Sequence, residues 1–383
     1  MRYILLLATF FTLINCNNTN NSTDMVKKTT NASPIAFIGT YTADMGFVKG
    51  KAAGIYTCRL DTTTGALTII DSAASYNPSF VTISPDKKFL YAVGEGGGKP
   101  TEPFGSVSSF SIGENGKLTK LNEVSSYGVA PCHISTDKTG KFVFVANYVN
   151  GSVESYGVKS DGSLTDAIQK LQYAGKDPFA HQMFTTPDNR FALVVNKGLD
   201  SVFVYELKGD GKFIEVHKGG TVHGAGPRHL TFNTAQLNDK GMMPAYVINE
   251  NNSTVDAFNF DTHSGTLTPF QTINALPSDF KGKNTGAEIE VHPSGKFLYS
   301  SNRGHNSIAV FQIAVDGKLS LVQHAPTQGD IPRNFTVTPD GKMLLVANQN
   351  SDNIVAFKID AGTGKLTQSA TSKVFTPVCI VFK

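Results

Sequence analysis

The chemistry of this chain rests on ionisable side chains that stand where strand patterning calls for apolar ones. In HGAGPRHLTF (223–232), Arg228 and His229 sit side by side at the head of an apolar run. Equivalent heads carry His133 in PCHIS, His181 in AHQMF, Glu288 in GAEIEV, and Arg333 with Asn334 in PRNFTV. Two further charges, Glu250 in VINE and Arg303 in SSNR, directly follow apolar runs. Taking arginine or histidine out of water is costly unless a partner or a ligand replaces the lost hydration. Three arginines stand here against two glutamates, with histidines beside them. A planar guanidinium holds a carboxylate or phosphate through two parallel hydrogen bonds, so the set points to capture of a small anionic ligand.

Residues so far apart in sequence meet only if the fold repeats. The segments 78–93, 131–147, 180–196, 286–302 and 332–348 share one layout, as do PRHLTF with AYVIN. A seventh copy is divided: PVCIVFK ends the chain, while PIAFIGT begins at residue 34. Alignment puts Val81, Ile134, Met183, Leu230, Ile289, Phe335 and Ile380 in one column, at intervals of 45 to 59 residues. A four-stranded propeller blade takes about 40–50. The fold expected is all-β: a seven-bladed β-propeller of four-stranded antiparallel blades, its ring closed by the C-terminal strand joining the N-terminal blade. The chain has no tryptophan, so the repeat is not of the WD type.

In such a blade the start of the first strand and the end of the second lie on one face. Asn147, Asn196, Asn249, Asn302 and Asn348 recur at the end of strand two. A residue shared by most blades serves the blade, here by bonding a strand-to-loop turn. His133, His181, Arg228, Glu250, Glu288, Arg303 and Arg333 each occur in only one or two blades, so no blade needs them as such. Their common face is expected to form a polar pocket at the channel mouth. A purely structural alternative pairs them across the channel, for instance Glu288 with Arg228.

Composition narrows the partners. The 383 residues are 40% hydrophobic and 17% charged, with a net charge of +3 spread along the chain. No run of like charges suits nucleic acid or an anionic membrane surface. Ile4 to Ile14 is apolar but too short to span a bilayer, and reads as a signal peptide over residues 1–16. Leu13-Ile14-Asn15-Cys16 resembles a bacterial lipoprotein cleavage box, with Cys16 lipidated and Asn15 where a small residue is usual. Residues 17–33 read as a polar tether and 34–383 as the propeller. The protein is expected to be exported, periplasmic or membrane-anchored, touching a membrane only through that lipid. Cys58, Cys132 and Cys379 match no metal-binding spacing and read as small buried residues. No metal or cofactor is expected from an arginine-rich, carboxylate-poor set.

GPRHLTF, AEIEVHPSGKFLYSSNRGHNSIAVF and PRNFTVTPDGKMLLVANQNSDNIVAF resemble the lactonase family of seven-bladed propellers. That family takes in propeller-type 6-phosphogluconolactonases and fungal carboxymuconate cyclases, and the resemblance spans residues 34–383. It implies a metal-independent site of His181, Arg228, Glu250 and Arg303; from their shared columns, His133, His229, Glu288, Arg333 and Asn334 are expected around the substrate. The activity implied is hydrolysis of a sugar-acid lactone, with His181 as general base and the arginines stabilising the oxyanion and the substrate anion. Glu250 would orient His181 or water. No Gly-x-Ser-x-Gly elbow provides a serine nucleophile. Three features depart from the family pattern: Phe179 where a second histidine is frequent, Lys197 in NKGLD where an Asp-Leu-Gly turn is common, and the insert 234–244. The alternatives are a cyclase acting on a muconate-type dicarboxylate and a surface propeller that binds without catalysis. Export favours an unphosphorylated lactone.

Overall fold

The computed structural model describes residues 33–383. The expected leader, Cys16 and all but the last residue of the tether lie outside the described residues. Within 33–383, seven four-stranded antiparallel sheets form the blades, and helix is limited to three short 3₁₀ turns. Blade 1 comprises residues 35–73 and blade 2 residues 81–125. Blades 3 to 7 follow as 131–172, 180–220, 227–274, 285–326 and 332–373. The chain ends on Pro377–Phe382, which pairs with Ile35–Thr40 as the innermost strand of blade 1. The expected closure is therefore what the sheet order shows, and both ends of the ring are held by one ladder of backbone hydrogen bonds.

Burial explains the sequence pattern strand by strand. Second strands such as Phe191–Asn196 and Met343–Asn348 are buried at every position, because neighbouring blades cover both of their faces. They read accordingly as unbroken apolar runs. Outermost strands such as Leu67–Ala73 bury little beyond their first residue and mix polar side chains with exposed ones such as Ile69 and Ile70. Apolar side chains of adjacent blades interlock, as where Leu193, Val195 and Val204 of blade 4 meet Leu230, Val247 and Phe258 of blade 5. Every residue of the aligned apolar column is buried, none more than 4% exposed. Cys58, Cys132 and Cys379 are free and buried.

Two sets of amide side chains stitch the blades. The recurring asparagines donate backward and forward: Asn147 to Ser126 O and Ser152 Oγ, Asn302 to Ala275 O and Ser307 Oγ, Asn348 to Thr327 O and Asn353 Oδ1. This is the turn-bonding role expected of them. At the rim, Asn122, Gln169, Gln271 and Gln323 each accept from a backbone N–H of the next blade and donate to a carbonyl of that same residue. Their targets are Leu164, Phe213, Leu319 and Leu366. Turn glycines complete the blades; Gly162 in SDGSL has φ +86°, and a Cβ there would run into the Phe89 ring of blade 2.

The closing strand carries a stability prediction. Ile380→Ala removes a side chain only 3% exposed from the joint between blades 1 and 7 and should cost about 2–5 kcal/mol. Val315→Ala, at a position 99% exposed, should leave the urea midpoint unchanged. Equal midpoints for the two variants would show that the terminal strand does not hold the ring.

Candidate active site

Strict alternation along a strand would send only one of Arg228 and His229 toward the channel. The ladder shows why both reach it. Pro227 pairs with Asn249 and His229 with Ile248, so Arg228 is an extra residue in its strand, a β-bulge. A bulge kinks the strand and re-aims the side chain it carries. The same irregularity falls on Cys132, His181, Arg333 and Val378, and in blade 6 it lies between Gly286 and Ile289. Each innermost strand from blade 3 onward thus offers two adjacent side chains at one end of the channel.

Glu250, directly after Asn249, is the hub of the cluster. Its Oε2 lies 2.9 Å from an Arg303 terminal nitrogen and 3.2 Å from Arg228 Nε, and its Oε1 lies 2.5 Å from Lys197 Nζ. Arg228 also donates to Ala287 O at 2.8 Å and Arg303 to Gly286 O at 3.0 Å, so the bulged strand of blade 6 fixes both guanidiniums. Lys197 donates to Tyr148 Oη at 2.9 Å. Burial alone would raise the Glu250 carboxyl, but Arg303, Arg228 and Lys197 outweigh it and hold it at about 2. Burial brings Arg303 down to about 10, against the pull of Glu250. Both remain charged at neutral pH.

A second network runs beneath. His229 Nδ1 meets Glu288 Oε1 at 2.8 Å, Asn334 donates to Glu288 Oε2 at 2.6 Å, and Ile380 N donates to Asn334 Oδ1 at 2.9 Å. Burial lowers the His229 imidazole despite Glu288, while Glu288 stays below its ordinary value because His229 and Arg228 outweigh its own burial. The pair joins an imidazole nitrogen to a carboxylate oxygen at the base of the site. It crosses from blade 5 to blade 6, and Asn334 carries it through blade 7 to the closing strand.

Above this layer opens a cavity of about 390 Å³, walled by His181, Arg303, Arg333, Glu250, Glu95 and Tyr148. The space below it, between Arg228, His229, Glu288 and Asn334, amounts to about 10 Å³; Cys132 and Arg333 border both. His181 is 4% exposed, with Nδ1 buried and unbonded. Burial first, then Arg228 and His229, push its imidazole well below the ordinary value, so it is neutral at pH 7. Arg333 lies over the Tyr41 ring, 5.6 Å from its centroid, and among the described residues no ion pair or hydrogen bond satisfies it. The described residues contain no group of three or more His, Cys, Asp or Glu able to hold a metal. A neutral imidazole and two cations thus face one chamber, suited to polarising a carbonyl and receiving a proton from water.

Residues 35–382 match the family described as "Lactonase, 7-bladed beta-propeller". The chain belongs to this lactonase family. It is 34% identical over 359 residues to the 6-phosphogluconolactonase of Bacillus subtilis, covering 91% of this chain and 98% of that one. It is 36% identical over 290 residues to the 6-phosphogluconolactonase of Pectobacterium carotovorum, covering 75% and 82%. The solved structure of a periplasmic gluconolactonase of Pseudomonas aeruginosa superposes with a TM-score of 0.83 at 28% identity, over 91% of this chain and 98% of that one.

In this lactonase, His181, Glu250, Arg303 and Arg333 border the open cavity, whereas Arg228, His229, Glu288 and Asn334 lie in the tight layer below. His133 is also buried, its ring tilted against Phe80 at 4.4 Å and its Nδ1 unbonded. The structure chooses among the pairings left open. Arg228 pairs with Glu250 and not Glu288, and no hydrogen bond joins Glu250 to His181; three cations saturate that carboxylate instead. Lys197, Tyr148 and Glu95 belong to the site although sequence reasoning did not select them. Their signal was present, since each follows the end of a second strand just as Glu250 and Arg303 do. Phe179, in place of a histidine, stacks on Tyr148 at 4.5 Å and 7°. The insert 234–244 joins the far ends of its strands, away from the cavity.

Removing the hub should be costly, with a defined pH signature. Glu250 titrates at about 2 in the folded state, below the unfolded value of about 4.3. Its stabilisation is therefore fully present above that unfolded value and is lost as the pH falls toward the folded one. Glu250→Gln should cost about 3–5 kcal/mol at pH 7, by leaving buried cations without their counterion. Urea titrations of the two proteins should converge as the pH approaches that of the folded carboxyl. A gap independent of pH would contradict the assignment of Glu250 as their counterion.

Proposed function

We propose that this lactonase hydrolyses an unphosphorylated sugar-acid lactone in the axial cavity, without a metal. The observation that carries the reading is the pairing, across one chamber, of a neutral buried imidazole with an arginine that no carboxylate of the described residues contacts as an ion pair. In the reaction, His181 takes a proton from water as its oxygen adds to the lactone carbonyl. Arg303 and Arg333 stabilise the oxyanion that forms. The tetrahedral intermediate collapses with cleavage of the acyl carbon–ring oxygen bond, and the proton held by His181 passes to that oxygen. The open-chain aldonic acid so formed gives up its carboxyl proton to water and leaves as the aldonate, its carboxylate against Arg333. Glu250 holds Arg303, Arg228 and Lys197 in place and does not accept the proton, because its conjugate acid is far too strong.

Two features support an unphosphorylated substrate. The N-terminal residues read as an export leader, and sugar phosphates are cytoplasmic compounds. Of the four cations around the cavity, three share Glu250, leaving Arg333 as the single guanidinium for an anion. The similar Pseudomonas protein is named a periplasmic gluconolactonase.

His181→Ala should lower kcat on glucono-δ-lactone by about 10²–10⁴-fold, with spontaneous hydrolysis subtracted. The acid limb of the wild-type kcat/KM profile should lie well below the ordinary imidazole value of about 6.5, because burial and the nearby Arg228 keep His181 neutral to lower pH and only the neutral imidazole accepts a proton. Arg333→Met should lower kcat/KM by about 10- to 100-fold, the worth of one charge-assisted hydrogen bond. Full turnover by His181→Ala would end the general-base role, and a preference for 6-phosphogluconolactone over the plain lactone would overturn the substrate assignment.

A further inference from the structure

Beside the axial cavity lies a second hollow of about 350 Å³, on the side of blade 2. The two share Gly96 and Gly97 as lining residues, neither of which carries a side chain. Those glycines are required there. A Cβ on Gly96 would stand 2.9 Å from the Tyr76 ring, and one on Gly97, at φ +93°, would stand 2.7 Å from the Phe104 carbonyl carbon. Tyr76 and Phe104 flank the hollow at 48% and 46% exposure, where aromatic rings of this size are normally covered. Glu102 and Glu123 supply carboxylates to the same space, Glu123 being held by Ser108 Oγ at 2.7 Å and Lys120 Nζ at 2.9 Å.

A glycine floor, half-exposed aromatic faces and carboxylates form a surface that fits a sugar ring. The C–H face of a pyranose lies on an aromatic ring, and its equatorial hydroxyls donate to carboxylate oxygens. Lys99 and Lys120 offset these two carboxylates, so the border carries no net charge and suits a neutral occupant. The hollow nearly equals the axial cavity in size, which suits one further ring of the same kind.

We propose that this hollow is a second subsite, and that the substrate class is an aldonolactone bearing a glycosidically linked neutral sugar. The lactone ring occupies the axial cavity, the linkage passes over Gly96 and Gly97, and the second ring rests on Tyr76 and Phe104. The assignment rests on the lactonase reading above. The chemistry is unchanged: water adds to the acyl carbon, the acyl carbon–ring oxygen bond breaks, the ring oxygen leaves as a hydroxyl, and the glycosidic bond is untouched.

The test is steady-state hydrolysis of glucono-δ-lactone and cellobiono-δ-lactone by the wild-type protein and by Tyr76→Ala and Phe104→Ala, each corrected for spontaneous hydrolysis. The wild type should favour the disaccharide lactone by about tenfold or more in kcat/KM. Each variant should lose most of that advantage while glucono-δ-lactone turnover stays within about twofold of wild type. Hydrolysis of glucono-δ-lactone with no advantage for cellobiono-δ-lactone, or an advantage that survives both substitutions, overturns the subsite alone. Hydrolysis of neither lactone overturns the lactonase reading and the subsite with it.

Discussion

The site depends on one buried carboxylate shared by three cations. Glu250 pairs with Arg228, Arg303 and Lys197 where burial leaves little water to screen them. Without it the guanidiniums would repel one another, and the strand ends that carry them would part. With it, their positive field remains in the cavity but their geometry is fixed. Burial first, and then Arg228, lower the neighbouring imidazole, so His181 is neutral beside the charges that would receive the oxyanion. In the proposed reaction, one electrostatic arrangement would serve as both proton acceptor and anion holder.

The propeller delivers this arrangement through a repeated local defect. A regular strand cannot show two successive side chains to the same face, yet the bulge at the head of the inner strands allows it, and one residue at each head is free to vary. In blades 4, 5 and 7 the free residue is His181, Arg228 and Arg333; in blades 3 and 1 it is Cys132 and Val378. The scaffold supplies the position, and the sequence chooses the chemistry. The Glu288–Asn334–Ile380 chain then ties this layer to the closing strand, so integrity of the site and closure of the ring are linked.

The fold was legible because burial is periodic. Seven apolar runs in register, together with a divided seventh copy, left little freedom in architecture. The rim amides were not legible, because Gln169, Gln271 and Gln323 look like ordinary solvent-facing residues of an outer strand until the next blade is beside them. Within the site, His181, Arg228, Glu250 and Arg303 stood out because charge in an apolar frame is conspicuous. Lys197 and Tyr148 did not, because a lysine or tyrosine after a strand is commonplace; only its distance to Glu250 gives Lys197 meaning. The pairings were beyond reach as well. Sequence could say that Arg228 needed a partner, but choosing Glu250 over Glu288 takes coordinates, since both stand at neighbouring positions on the same face.

The most direct measurement is a crystal structure of the protein with the product aldonate bound, gluconate being the simplest probe. The carboxylate should lie in the axial cavity against Arg333 and Arg303, within hydrogen-bonding reach of His181, with Glu250 still bonded to its three cations. Gluconate bound at the opposite face of the ring, or bound with His181 turned away from its carboxylate, would contradict the account.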